Sequence, residues 1–266
     1  MSIKNRTFSF NRLILYFVLL AASCRLESTE VAEFLHTSTH CSGTKITEIA
    51  LMGQRCSGTN FLQYLIQKNF PGYFFHCPNG TGAMPHKHHW PFLNGSKNYP
   101  FFKNDHCLFV LIVRDPYSWL QSLYEHRELL AYLKRNTFAN FLASKVVYQK
   151  FLPYGEKVRS FPNILSARNQ EIENYFKIGA RVGNFVFVSY DKINAHPQEF
   201  VNFLSEYFQL EKTEEFVPVN KYKGFGVPYT EKQYAPIISS DLLNINQSLN
   251  WTLENSMDFH LQWGDS

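Results

Sequence analysis

Seven consecutive apolar residues, Cys107-Leu108-Phe109-Val110-Leu111-Ile112-Val113, stand between His106 and Arg114 and constrain the fold more than any other stretch. A strand with one wet face alternates polar and apolar residues. A run of strand length without alternation belongs in a sheet covered on both faces, as central parallel strands are. Residues 46–52 read as another short strand, ending at Gly53, and residues 184–189 (NFVFVS) as a third of the buried kind. Between them lie helical patterns. Phe61, Leu62, Leu65 and Ile66 share one face, and a helix is expected from Pro116, because proline is accepted in a first turn. Further helices are expected over 137–151, 165–178 and 197–208. A last one should run from Ser240, as its cap, to about Phe259, with Leu242, Leu243, Leu249 and Leu253 inward. Strands alternating with helices imply an α/β fold, a three-layer sandwich around a central parallel sheet. Residues 71–105, rich in Pro, Gly, Asn and His, read as irregular loop.

A chain of 266 residues suits one such domain with a large core. Hydrophobic residues make up 45% and charged residues 18%, which excludes a disordered chain, and 25 phenylalanines imply thick aromatic packing. The net charge of +4, without a Lys/Arg run, is compatible with an anionic ligand and leaves no footprint for nucleic acid.

The N-terminus reads as a targeting segment. Lys4, Arg6 and Arg12 precede an apolar stretch over 13–22, and Ala21 and Ser23 occupy small-x-small positions. The stretch is about half of the ~20 residues that span a bilayer. Residues 1–23 are therefore expected to be a signal peptide, or a short signal anchor that would tie the chain to a membrane. Cys24 also permits a bacterial lipoprotein reading. Residues 24–44 read as a polar stem and 45–266 as the domain. Sequons at Asn79, Asn94, Asn246 and Asn250 agree with a secreted glycoprotein, Asn250 being the least suited because it falls in an expected helix. Cys41, Cys56, Cys77 and Cys107 could form up to two disulfides in an oxidising lumen. No Cys/His spacing suggests a metal site.

Gly53-Gln54-Arg55-Cys56-Ser57-Gly58-Thr59-Asn60 lies between an expected strand and an expected helix. Glycines let backbone approach an anion, and a helix N-terminus offers unpaired N–H groups and positive potential. The spacing G-x-x-x-x-G is that of a nucleotide triphosphate loop, but Thr59 and Asn60 stand where an NTPase needs Lys and Ser/Thr, which argues against a kinase. The stretch from Arg55 to Leu62 resembles the 5′-phosphosulfate loop of sulfotransferases that use 3′-phosphoadenosine 5′-phosphosulfate (PAPS), closest in style to Golgi and bacterial members. The resemblance implies a P-loop nucleotide-binding fold, with Cys56, Ser57, Gly58, Thr59 and Asn60 at the 5′-phosphate and Phe61 near the adenine. The family's basic residue directly precedes the Ser; here Cys56 does, and Arg55 stands one step earlier.

Arg114 follows the apolar run, and Ser122 lies eight positions later. At the carboxyl end of a strand and two turns into the next helix, a guanidinium and a hydroxyl can converge on one phosphate. This resembles the family's 3′-phosphate motif. Asp115, between them, reads as a helix-capping carboxylate.

Met84-Pro85-His86-Lys87-His88-His89-Trp90-Pro91 gathers three histidines and a lysine. It resembles the family's Lys-x-His-x-Pro element, which implies Lys87 beside the leaving group and His89 as base, with His86 and His88 as alternatives. Arg55 would reach the bridging oxygen. Lys223 and Gly224 resemble a basic loop closing on the 3′-phosphate, and residues 188–197 resemble a Tyr-Glu-Asp-Leu segment that supports the fold.

The implied activity is metal-free transfer of a sulfuryl group from PAPS to a hydroxyl or amine of a glycan, protein or small molecule. The implied address is the secretory lumen, Golgi above all, or outside the cell. The alternatives are a P-loop kinase with a degenerate lysine and an inactive, sulfotransferase-like binding protein.

Overall fold

The computed structural model describes residues 40–76, 88, 104–126, 136–148, 159–220 and 232–263, all within the compact unit Glu33–Ser266. The apolar run forms β3 (Cys107–Val113), with every residue buried. Beside it lie β1 (Glu48–Gly53), β2 (Phe74–His76) and β6 (Asn184–Ser189), in the spatial order β2-β1-β3-β6 and all parallel. The fold is therefore α/β with a central four-stranded parallel sheet. Gly53 pairs with Ile112, and Val113 with Ser189, so three strand ends finish level along one edge.

Strand residues alternate between two covered faces. Ala50, Met52, Phe109, Leu111, Phe185 and Phe187 face Ile172, Tyr175 and Ile178 of helix α4 (Ile164–Gly179). Ile49, Leu51, Val110 and Ile112 point the other way, toward helices α1 (Thr59–Asn69) and α6 (Pro197–Tyr207), which pack on each other. A β-carbon on Gly53 would stand 2.7 Å from Ile112 Cγ2 and 2.9 Å from Thr59 Cγ2, which puts Thr59 on that second face. Each fully buried Leu, Ile, Val or Phe contributes about 1.5–3 kcal/mol, so this doubly covered sheet carries most of the core's stability.

Helix α2 (Pro116–Glu125) starts as expected. Proline sits in the first turn and Asp115 caps it, its Oδ1 accepting the N–H groups of Tyr117 at 3.1 Å and Ser118 at 2.9 Å. Its apolar side packs with the N-terminal half of α4 and with α3 (Phe138–Leu142), where Tyr124, Phe138 and Phe141 form an aromatic cluster.

Several expectations are corrected. The helix expected over 137–151 ends at Leu142, and the chain turns into β4 (Val146–Tyr148), antiparallel to β5 (Arg159–Phe161). The β-branched pair Val146-Val147 favours a strand there. The loop over 71–105 contains β2, a fourth strand of the sheet. The last helix is two: α7 (Ser239–Ser248), preceded by Ile238 rather than capped by Ser240, and α8 (Trp251–Asn255). Leu249 breaks them with an extended backbone and Asn250 caps the second, its Oδ1 accepting Leu253 N–H. Leu243 points outward, at 56% exposure. A short helix α5 (Tyr190–Ala195) follows β6 directly.

The chain is already on the sheet at His40, whose N–H and C=O bridge Phe185 at 3.0 Å each. Cys41 and Cys107 carry no disulfide, which leaves room for at most one of the two bridges expected. Burial pushes the Cys107 thiol far up and keeps it protonated. Residues 1–23 lie outside the described residues; among those described, no helix is long and apolar enough to cross a membrane.

Candidate functional site

The β1 connection leads to β2 on one side of the sheet, and the β3 connection leads toward β6 on the other. Where neighbouring parallel strands send their connections apart, a crevice opens beyond their carboxyl ends, and ligands of open α/β sheets bind there. Both stretches expected to bind anions lie at this point, Gly53–Asn60 after β1 and Arg114–Ser122 after β3.

The first loop turns through two left-handed residues, Cys56 at φ 64° and Gly58 at φ 88°. Gly58 is also where α1 begins, with no side chain capping the helix N-terminus. Ser57 is buried, and its hydroxyl donates to Gln54 O at 2.7 Å, so its proton is spent inside the loop. Thr59 is buried, while Arg55, Cys56, Asn60 and Phe61 are half-buried. The Arg55 carbonyl accepts the indole N–H of Trp119 at 2.8 Å, which ties this loop to α2.

On the second strand end, Arg114 is 13% exposed. Its guanidinium carbon lies 4.8 Å from the ring centroid of Tyr190 and 5.5 Å from that of Tyr234. Nη1 lies 3.5 Å from the Tyr234 hydroxyl, Nε is 3.9 Å from Asp191 Oδ1, and Nε is buried with no hydrogen-bond acceptor. Asp191 also accepts Asp115 N–H at 3.0 Å. Burial pushes the Asp115 carboxyl above its ordinary value, with Asp191 pushing the same way and the Ser118 N–H pulling back. Ser122 is buried, on the inner side of α2.

Helix α1 descends one face of the sheet, while α2 joins the layer that α4 forms over the other. The loops that lead into them share one neighbour. Tyr190 makes the junction: Gly58 lies against its ring, Phe61 meets that ring edge-on at 6.0 Å, and Arg114 lies over it.

Beneath both loops is a buried polar network that the sequence reading missed. Arg168 and Glu254, each with a fully buried side chain, pair through two bonds of 2.7 and 2.8 Å. Arg168 also donates to Gln54 Oε1 and to the Arg114 carbonyl, both at 2.9 Å. Gln54 Nε2 donates to Glu171 at 3.0 Å, and Tyr175 donates to the other oxygen of that carboxylate at 2.8 Å. Burial raises Glu171 to about 7, against the pull of Gln54, Tyr175 and Arg168. The signal was present: Arg168 and Glu171 fall on the stripe of α4 that carries Leu165, Ile172 and Tyr175. A charge on an apolar stripe marks a buried partner.

Of His86, His88 and His89, His88 lies among the described residues; its Nδ1 is 2.9 Å from the Gly53 carbonyl. A carbonyl only accepts, so Nδ1 carries the proton and Nε2 is the basic nitrogen. Lys87, His89, Lys223 and Gly224 lie outside the described residues. Among the described residues no group of His, Cys, Asp and Glu is placed to hold a metal ion. Compared with known proteins, the chain matches no protein-family model and no curated protein.

Proposed function

We propose that the chain is a sulfotransferase that takes its sulfuryl group from PAPS. The observation that carries this reading is the Tyr190 junction, where one ring holds Gly58 of the first anion loop and Arg114 of the second. A bisphosphorylated adenosine needs two anion sites held together in this way. The residues present fit such a ligand. Arg114 is a nearly buried cation with an unsatisfied Nε, and the α1 N-terminus has backbone N–H groups and no side-chain cap. Asp191 weakens Arg114 only loosely at 3.9 Å, and it is 43% exposed.

In this reading the first-turn amides of α1 and the Thr59 hydroxyl hold the 5′-phosphate and Arg114 holds the 3′-phosphate; Ser122, buried further along α2 in the layer opposite Thr59, is left out of the contact. Sulfuryl transfer forms a bond from an acceptor oxygen or nitrogen to sulfur, breaks the S–O bond to the phosphate, and releases the acceptor's proton to a base. His89 is the base in this reading, with His88, whose ring is anchored at Gly53 where the loop begins, as an alternative. Asp115 spends its carboxylate on capping α2, which speaks against a metal-binding acid of the kinase kind.

Binding of adenosine 3′,5′-bisphosphate to the purified chain tests the reading. The wild type should bind it in preference to Mg-ATP, and Arg114→Ala should abolish binding. A wild type that ignores the bisphosphate ends the proposal. Radiolabelled PAPS offered with glycans, tyrosine peptides and small phenols then finds the acceptor; binding without turnover on any of them identifies an inactive relative.

A further inference from the structure

We infer that Arg168 is a positioning residue that locks the two anion loops to each other, so that they bind as one unit. Its guanidinium is fully buried and its donors diverge. Nη1 reaches Gln54 in the first loop, and Nη2 reaches the Arg114 carbonyl where the second begins. Nε and Nη2 grip Glu254, which fixes the plane of the group. The Trp119 ring lies 4.8 Å from it, while the indole N–H of that residue holds Arg55 O.

The Gln54 amide cannot turn over in this setting. Arg168 has nothing to accept with, so it must meet the amide oxygen, and the Glu171 oxygen receives the amide N–H. Beyond the last β1–β3 pair, Gly53 with Ile112, residues 54 and 114 are thus tied a second time, by one rigid, planar side chain. Lysine, a single point of charge on a flexible stem, cannot hold the same three partners in one plane.

This inference rests on the proposed nucleotide site for its functional consequence, but not for its geometry, so two measurements separate them. The first is amide hydrogen exchange on the ligand-free full chain, comparing wild type with Arg168→Lys and Gln54→Met. The lysine keeps a positive charge beside Glu254; the methionine keeps the Arg168–Glu254 pair and cuts the link to the first loop. Both variants should speed exchange at least tenfold in residues 54–60 and also in 114–118, with the interior of β3 unchanged. Faster exchange confined to the segment around the altered residue overturns the lock.

The second measurement is the affinity for adenosine 3′,5′-bisphosphate, 3′-AMP and 5′-AMP. The variants should bind each monophosphate within threefold of wild type, while the advantage of the bisphosphate falls at least tenfold. An equal loss for all three ligands would mean general destabilisation and would overturn the lock. If the wild type binds none of them, the sulfotransferase reading fails, and the exchange result alone decides the lock.

Discussion

Gly58 lies flat against the ring of Tyr190: a β-carbon at Gly58 would overlap the ring at Cδ2 and stand 2.7 Å from Cε2. The residue also holds a φ of 88°, which L side chains rarely adopt. Gly43 provides the control, with φ 76° and open space around its β position. Gly43→Ala should cost about 1–2 kcal/mol from backbone strain alone. Gly58→Ala should cost about 2–5 kcal/mol, because the ring must also give way. Urea unfolding of the two variants checks this, and equal losses would show that the glycine and the ring do not touch.

The Arg168–Glu254 pair predicts a second asymmetry. Glu254→Ala leaves a guanidinium buried without its countercharge, a loss of about 3–5 kcal/mol. The exposed pair of Lys177 and Glu173 on the same α4 helix should give less than about 1 kcal/mol when broken by Glu173→Ala. Comparable effects at the two sites would mean that Arg168 is solvated.

Glu171 makes stability depend on pH in a stated direction. Its folded-state value is raised from 4.5 to about 7, so folding is easiest while the carboxyl is protonated. The contribution is fully present below the unfolded value of 4.5 and is lost as pH rises through about 7. Between pH 5 and pH 8 the wild type should lose about 3 kcal/mol from this group. Glu171→Gln, which mimics the protonated acid, should flatten the melting temperature over that range; an unchanged slope would clear Glu171 of the role.

The two sequons near the C-terminus are not equivalent. Asn246 has its whole amide engaged, accepting from the Tyr117 hydroxyl and donating to Gln262 O at 2.8 Å. Asn250 is exposed and caps α8 through Oδ1, so a sugar on Nδ2 leaves the cap in place. Expressed through a secretory pathway, the chain should carry glycan on Asn250 and none on Asn246. Enzymatic release followed by peptide mass mapping reads both sites, and a glycan on Asn246 would contradict the geometry. The helix-based expectation for Asn250 therefore reverses, since the residue stands at the helix cap.

What was legible in the chain is what strong local patterns write. Residues 107–113 could only be a buried strand, and the Asp115-Pro116 pair marked a helix start that the structure keeps. Short elements were not legible. Strand β2 has three residues inside a Gly- and Pro-rich stretch, and it is a strand because β1 offers an open edge. The break at Leu249-Asn250 was hidden because leucine spacing continues across it. In the candidate site, glycines and Arg114 stood out by their spacing. Gln54 and Glu254 did not, and the charges of Arg168 and Glu171 on the α4 stripe announced buried partners without naming them, since the four meet only after the sheet, α4 and α8 have assembled.

That scatter has a consequence for biosynthesis. Gln54 and Arg114 are made early, Arg168 later, and the carboxylate that neutralises Arg168 only 86 residues after it. A nascent chain halted before Glu254 would hold a cation with nowhere dry to go. The glycine loop is thus finished by a helix that is made long after it.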